Sequence, residues 1–211
     1  SCPSVMMHFQ IRTLLNQFLK NYPKVQIELE LTSRRVDLIH DDIDLAIRTN
    51  FQANEDSSLI VRDVIKTTHC LVASPELLKG RHIQHFTELH EFPSVVLGMQ
   101  KSQYYWHLNN REHGEVIDIP LQPRIKSNDL AGVYYAVYDG FGIADLPYLA
   151  VEQDIKQGKL IHVLPEWCSN LGTVQLVYAS RKGQRLVMEK LIDYLVEGLR
   201  DLAKDHLGYA L

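Results

Sequence analysis

The residue types best suited to chemistry here are ten histidines and three cysteines. His82, His85 and His90 lie fairly close together, with His107 and His113 further on. Their spacing matches no structural zinc motif, and no nearby cysteine completes one. Scattered surface histidines explain them better, so no metal site is expected. Cys2 stands near the start, Cys70 within an apolar run, and Cys168 after Trp167. The odd count argues against full pairing, and a buried free cysteine is usually a small apolar residue. The chain has no nucleophile elbow, no phosphate-binding glycine loop and no HExxH. Ser4, His8 and Asp37 have the residue types of a triad, but nothing in their spacing recommends one. No catalytic residue and no cofactor is expected. Tyr104, Tyr105 and Trp106 cluster, which reads as packing or a subunit interface.

The elements that must position any site follow from periodicity. Ile11, Leu14, Leu15, Phe18 and Leu19 recur at helical spacing after Ser4, a fair N-cap, and Pro23 forces the exit. Val25, Ile27, Leu29 and Leu31 alternate with polar residues, which predicts a strand with one buried face. Arg34 to His40 reads as a short helix, and Leu45 to Ile47 as a buried strand. Two further strands are expected at Leu59–Val64 and Thr67–Ala73, then short helices from Pro75 and over about His85–Leu89. Val95–Leu97, Tyr104–Leu108, Val116–Ile119 and Arg124–Ser127 are strand-like. Asn128 or Asp129 caps a helix that ends at Gly140, and Pro147 opens another that closes at Gly158. Strands at Leu160–Leu164 and Thr173–Ala179 precede the longest helix, Gln184–Lys204. Helix–strand alternation implies a parallel sheet with helices on its faces.

Composition excludes several classes. Hydrophobic residues make up 45% of the 211, too many for a disordered chain. No run of about 18 apolar residues exists to span a membrane. The net charge is −4 and no Lys/Arg block appears, so these residues alone are no strong nucleic-acid surface. The length suits one large domain or two small ones. The start at Ser1, close to the first helix, reads as a domain cut from a longer protein.

Several phrases then meet in one order. They are Phe18-Leu19-Lys20-Asn21-Tyr22-Pro23, Arg35-Val36-Asp37-Leu38-Ile39 and Asp42-Ile43-Asp44-Leu45-Ala46-Ile47-Arg48. Ser57-Ser58-Leu59, Leu71-Val72-Ala73-Ser74-Pro75, Ser127-Asn128-Asp129, Gly140-Phe141-Gly142-Ile143-Ala144-Asp145-Leu146-Pro147, Gly158-Lys159-Leu160 and Leu164-Pro165-Glu166-Trp167 follow. Together they resemble the effector-binding domain of LysR-type transcriptional regulators, over almost the whole chain. The resemblance implies an α/β fold of two Rossmann-like subdomains with a cleft between them, similar to type 2 periplasmic binding proteins. The chain would cross twice, near Ser74-Pro75 and near Thr173–Ala179. Subdomain I would hold residues 1–74 and 175–211, and subdomain II residues 75–174. The family's N-terminal winged helix-turn-helix and linker helix are missing here, so DNA would be reached only through that missing domain. A cytoplasmic homo-oligomer with no membrane contact is implied, dimeric for the domain and usually tetrameric for the full protein.

In such a fold the ligand lies at strand ends and helix N-termini, where free N–H groups favour anions. Pro3 and Ser4 meet that description, though Ser4 also suits a plain cap. Thr32 and Ser33 resemble the family's second ligand loop; Ser33 equally suits a helix cap. Arg48, Thr49 and Asn50 follow the strand Leu45–Ile47. The planar fork of Arg48 suits a carboxylate, with Asp42 or Asp44 as alternative partners. Leu97, Gly98, Met99 and Gln100 follow a strand of subdomain II, and Ser127, Asn128 and Asp129 open a helix. Asp129 would repel an anion unless it caps its own helix. The implied ligand is a small anionic or zwitterionic metabolite. Peroxide-sensing relatives use paired cysteines in the second subdomain, where only Cys168 falls. The rival readings are an extracytoplasmic solute-binding protein of the same fold and a deaminase-like enzyme. The motif order favours the regulator over the first, and the absent motifs count against the second.

Overall fold

The computed structural model describes residues 1–50, 59–99, 103–179 and 186–204. The chain forms two compact units, one of Ser1–Thr67 with Gly172–Leu211 and one of Thr68–Leu171. Both changes of unit fall inside long strands.

In the first unit the expected opening helix is continuous but mixed. It comprises α1 (Ser4–Met6), a π-helical segment (Met7–Ile11) and α2 (Arg12–Asn21). Pro3 is its N-cap, so Ser4 is the first helical residue rather than the cap. Proline suits this border because its fixed φ costs nothing there. α2 buries Leu14, Leu15 and Phe18. They face the last helix of the chain, α6 (Leu186–Ala203), which buries Ile192, Leu195, Val196 and Leu199. The Tyr194 hydroxyl donates to Gln17 Oε1 at 3.0 Å, and Arg62 pairs with Asp193 at 2.6 Å. Each fully buried aliphatic or aromatic side chain here contributes about 1.5–3 kcal/mol.

Two expectations fail locally. The alternating stretch Val25–Leu31 forms no ladder; only Leu31 bridges, to Cys2. Alternation supplies a face, but a strand also needs a partner along its length, and Leu29 and Leu31 stay exposed. Arg34–His40 is not a helix. Asp37 Oδ1 accepts the backbone N–H groups of Ile39 and His40, both at 3.1 Å, which fixes a turn instead. Those bonds, His40's first, hold the Asp37 carboxyl below its usual range.

β1 (Ala46–Asn50) pairs antiparallel with the last strand, Ala46 opposite Val177 and Arg48 opposite Gln175. Leu38, Ala46 and Val177 form a small core there with Val36, Ile43, Leu59 and Val61. The two strands expected between 59 and 73 are one, β2 (Leu59–Ala73). It begins in the first unit and ends in the second.

The second unit continues with α3 (Pro75–Leu78), whose N-cap Ser74 accepts the Leu77 N–H at 3.2 Å. A 3₁₀ segment follows at Phe86–Glu91. β3 (Ser94–Leu97), β4 (Tyr104–Asn110), β5 (Val116–Leu121) and β6 (Pro123–Ser127) come next. Then come α4 (Leu130–Tyr138), β7 (Ala144–Pro147), α5 (Tyr148–Lys156), β8 (Ile161–Val163) and β9 (Trp167–Ala179). β3 and β6 are parallel, with Val96 opposite Lys126 and Leu97 opposite Ser127. β4 and β5 form an antiparallel hairpin, and β7 and β8 both pair with β2. The core holds Leu71, Trp106, Leu108, Ile119, Ile143, Val163 and Trp167. α4 and α5 are tied by the Tyr134 hydroxyl, which donates to Asp154 Oδ2 at 2.5 Å. Burial, then that bond, raises the Tyr134 phenol above its usual value.

Candidate functional site

In the first unit three segments run side by side. The Ser1 nitrogen donates to Leu45 O (2.7 Å) and Ile47 N–H to Ser1 O (2.9 Å), the pattern of parallel pairing. On the other side, Cys2 N–H donates to Glu30 O and Thr32 N–H to Cys2 O, both at 3.0 Å. Consequently Pro3 and Ser4, and Thr32 and Ser33, follow adjacent parallel segments, whereas Arg48, Thr49 and Asn50 do not follow a strand as expected but lie within β1, because its ladder with the last strand runs on to Asn50. Carboxyl ends of parallel strands are where α/β folds bind ligands. Thr32 Oγ1 accepts the Arg34 N–H at 3.2 Å, so its hydroxyl shapes the loop. Arg48 stands across from Gln175, whose Nε2 donates to Asp63 Oδ1 at 2.7 Å.

In the second unit the site segments meet at the ends of β3 and β6. Gly98 N–H donates to Ser127 O at 2.6 Å, and Gly98 adopts φ +124°, a conformation only glycine takes easily. The Tyr104 hydroxyl donates to Gly98 O at 3.1 Å. Ser127 Oγ donates to Asp129 O (2.8 Å) and accepts Asp129 N–H (3.0 Å). Asp129 is the N-cap of α4, but its carboxylate makes no capping bond to that helix. Gly132 gives Ser127 room; a Cβ there would lie 2.6 Å from Ser127 Oγ. Leu97, Met99 and Asn128 are exposed. Gln100 lies outside the described residues. The sequence points Tyr104 to packing or a subunit interface and does not single out Lys126, whose ammonium sits 4.9 Å from the centre of the Tyr104 ring.

The cysteines are buried and free. Burial pushes the Cys2 thiol up to about 12, despite its Coulombic neighbour at the amino end. Burial likewise raises Cys70. Neither is a thiolate nucleophile near neutral pH. Among the described residues no three His, Cys, Asp or Glu side chains are grouped to hold a metal ion. No helix of the described residues is long and apolar enough to cross a membrane.

Comparison with known proteins shows the family. The family model described as "LysR substrate binding domain" matches residues 1–200. This chain belongs to that family. It is similar to the HTH-type transcriptional regulator DmlR of Escherichia coli, 30% identical over 195 residues, covering 89% of this chain and 61% of DmlR. The HTH-type transcriptional regulator PtxR of Pseudomonas aeruginosa is 26% identical over 209 residues, covering 99% and 63%. The chain thus spans about three-fifths of the length of these relatives. Among solved structures, the CrgA regulatory domain of Neisseria meningitidis matches with a TM-score of 0.79 and 26% identity, covering 94% of this chain and 96% of that one. The fold is therefore that of LysR-type regulatory domains, α/β with two subdomains in the periplasmic-binding-protein-like class. The chain is a LysR-type effector-binding domain, and its relatives are named as regulators, not enzymes.

Proposed function

We propose that this domain senses a small anionic or zwitterionic metabolite on behalf of a LysR-type DNA-binding transcriptional regulator, and performs no catalysis. The metabolite binds in the cleft between subdomains that the family implies, against Pro3, Ser4, Thr32, Ser33, Arg48 and Thr49 on one side. Leu97, Gly98, Met99, Ser127, Asn128 and Asp129 line the other. The observation that supports this reading is the parallel pairing of Cys2 with Leu31 beside Ser1 with Leu45–Ile47, which brings Pro3, Thr32 and the strand that carries Arg48 side by side. The chain acts in the cytoplasm as a homo-oligomer, and DNA is contacted through an N-terminal winged helix-turn-helix outside these 211 residues.

Signalling is a population shift. A metabolite moves the equilibrium only by its differential affinity for two states, so a tenfold preference supplies about 1.4 kcal/mol. The full-length regulator bound to its operator DNA tests this. A metabolite that binds the domain should change operator affinity or footprint length. Metabolite binding with no change in either would overturn the regulatory reading.

A further inference from the structure

We propose that Lys126 is a specificity-determining contact for a carboxylate of the effector and that Tyr104 is its positioning residue. This rests on the effector-binding reading above and assigns a ligand class to one half of that site.

Several donors at the ends of β3 and β6 are already in use. Gly98 N–H is taken by Ser127 O, Gly98 O is taken by the Tyr104 hydroxyl, and Ser127 Oγ is engaged twice with the Asp129 backbone. These bonds stiffen the rim and commit the Gly98 and Asp129 N–H groups and the Tyr104 and Ser127 hydroxyls. Lys126 adds an exposed cation beside this rim. It lies on β6 one residue before Ser127 and opposite Val96 of β3. Its ammonium is seated 4.9 Å from the Tyr104 ring centre. That ring is itself held by its hydroxyl, which donates to Gly98 O.

Among the described residues no carboxylate lies within ion-pair distance of Lys126. A cation over an aromatic face is held without being neutralised. Lys126 is therefore pre-placed and unpaired at the carboxyl ends of two parallel strands, where α/β folds bind ligands. A lysine presents a point charge rather than a fork, so it selects for negative charge and tolerates varied carboxylate orientation. It also offsets the repulsion between an anion and the neighbouring Asp129.

The test is an amide-resolved NMR titration of the chain with sodium succinate against sodium chloride at matched ionic strength. The expected result is saturable shifts at Gly98, Met99 and Asn128. Lys126→Met should weaken binding about tenfold, the loss expected for one charge-assisted contact. Lys126→Arg should largely restore it. Tyr104→Phe should weaken binding in the native background but add nothing in the Lys126→Met background, because its effect runs through the lysine. Native affinity in Lys126→Met, or no saturable shift at the rim, overturns the assignment. Shifts confined to the first unit would do the same while leaving the effector-domain reading intact. Rim binding of succinate in a protein whose operator affinity answers to no metabolite would instead sink the regulatory reading alone.

Discussion

Gly198 of α6 lies so close to Leu14 of α2 that a Cβ on the glycine would fall inside the leucine side chain. Leu14 is buried, so it has little room to turn aside. Gly198→Ala should destabilise the domain by about 1–3 kcal/mol from overpacking, less the ~1 kcal/mol that alanine returns in helix propensity. Thermal unfolding should show a midpoint lowered by a few degrees. Adding Leu14→Ala should make the Gly198→Ala change neutral or favourable, a coupling that a double-mutant cycle reads directly.

A similar approach in the second unit involves backbone and should cost more. A Cβ on Gly142 would stand 2.7 Å from Pro93 O and 3.0 Å from Val95 Cγ2. This contact braces the bonds from Val95 N–H to Ile143 O and from Ile143 N–H to Pro93 O. Neither the carbonyl nor the buried valine can swing away. Gly142→Ala should therefore cost about 2–3 kcal/mol in urea unfolding, with little change in slope.

His162 gives stability a pH dependence of known sign. Burial first, then the nearby Arg111 charge, depresses its imidazole from 6.5 to about 4. Between those values the unfolded state binds the extra proton, so stability is full above pH 6.5 and falls as pH drops towards 4. The half-buried ring is partly screened, so the loss is on the order of 2 kcal/mol. Urea midpoints measured from pH 7 downwards should fall in the native chain. They should fall less in His162→Gln over the upper part of that window, before carboxylates such as Asp37 and Glu88 begin to protonate.

Thiol chemistry should be silent in the folded state. Cys2, Cys70 and Cys168 are all buried. With Cys2 at about 12 and Cys70 raised by burial, a disulfide reagent at mildly alkaline pH should label the native chain slowly. All three thiols should react at once in denaturant. Fast native labelling of Cys2 would contradict its burial.

Arg48 was legible as a candidate because a planar guanidinium suited to a carboxylate comes after the apolar run Leu45–Ile47. Arg48→Ala should weaken binding of a carboxylate effector about tenfold in calorimetry. Unchanged affinity would remove Arg48 from the site.

Much of the helical framework was legible because burial leaves a period in sequence. Ile11, Leu14, Leu15 and Phe18 announced their helix, although nothing in that period announces the π-helical segment Met7–Ile11. Val25–Leu31 had the right alternation, but strand pairing depends on a neighbour that periodicity does not name. Ile65 and Lys66 fell between two expected strands, yet β2 runs through both. The loops of the candidate site were found through the family resemblance. Their internal bonding was not, because whether Ser127 Oγ serves a ligand or the Asp129 backbone is decided by tertiary geometry. Lys126 was passed over for the same reason: a cation seated on Tyr104 leaves no trace in spacing.

The most direct measurement is the thermal unfolding midpoint of the domain across a panel of small organic acids at matched ionic strength. An effector at 100 times its dissociation constant should stabilise the native state by about 2.7 kcal/mol. That should raise the midpoint by roughly 5–10 °C for a chain of this size. At least one carboxylate should do so with saturation, and Arg48→Ala and Lys126→Met should each blunt the rise. A flat response to every acid in the panel would contradict the reading of this chain as a sensor of organic anions.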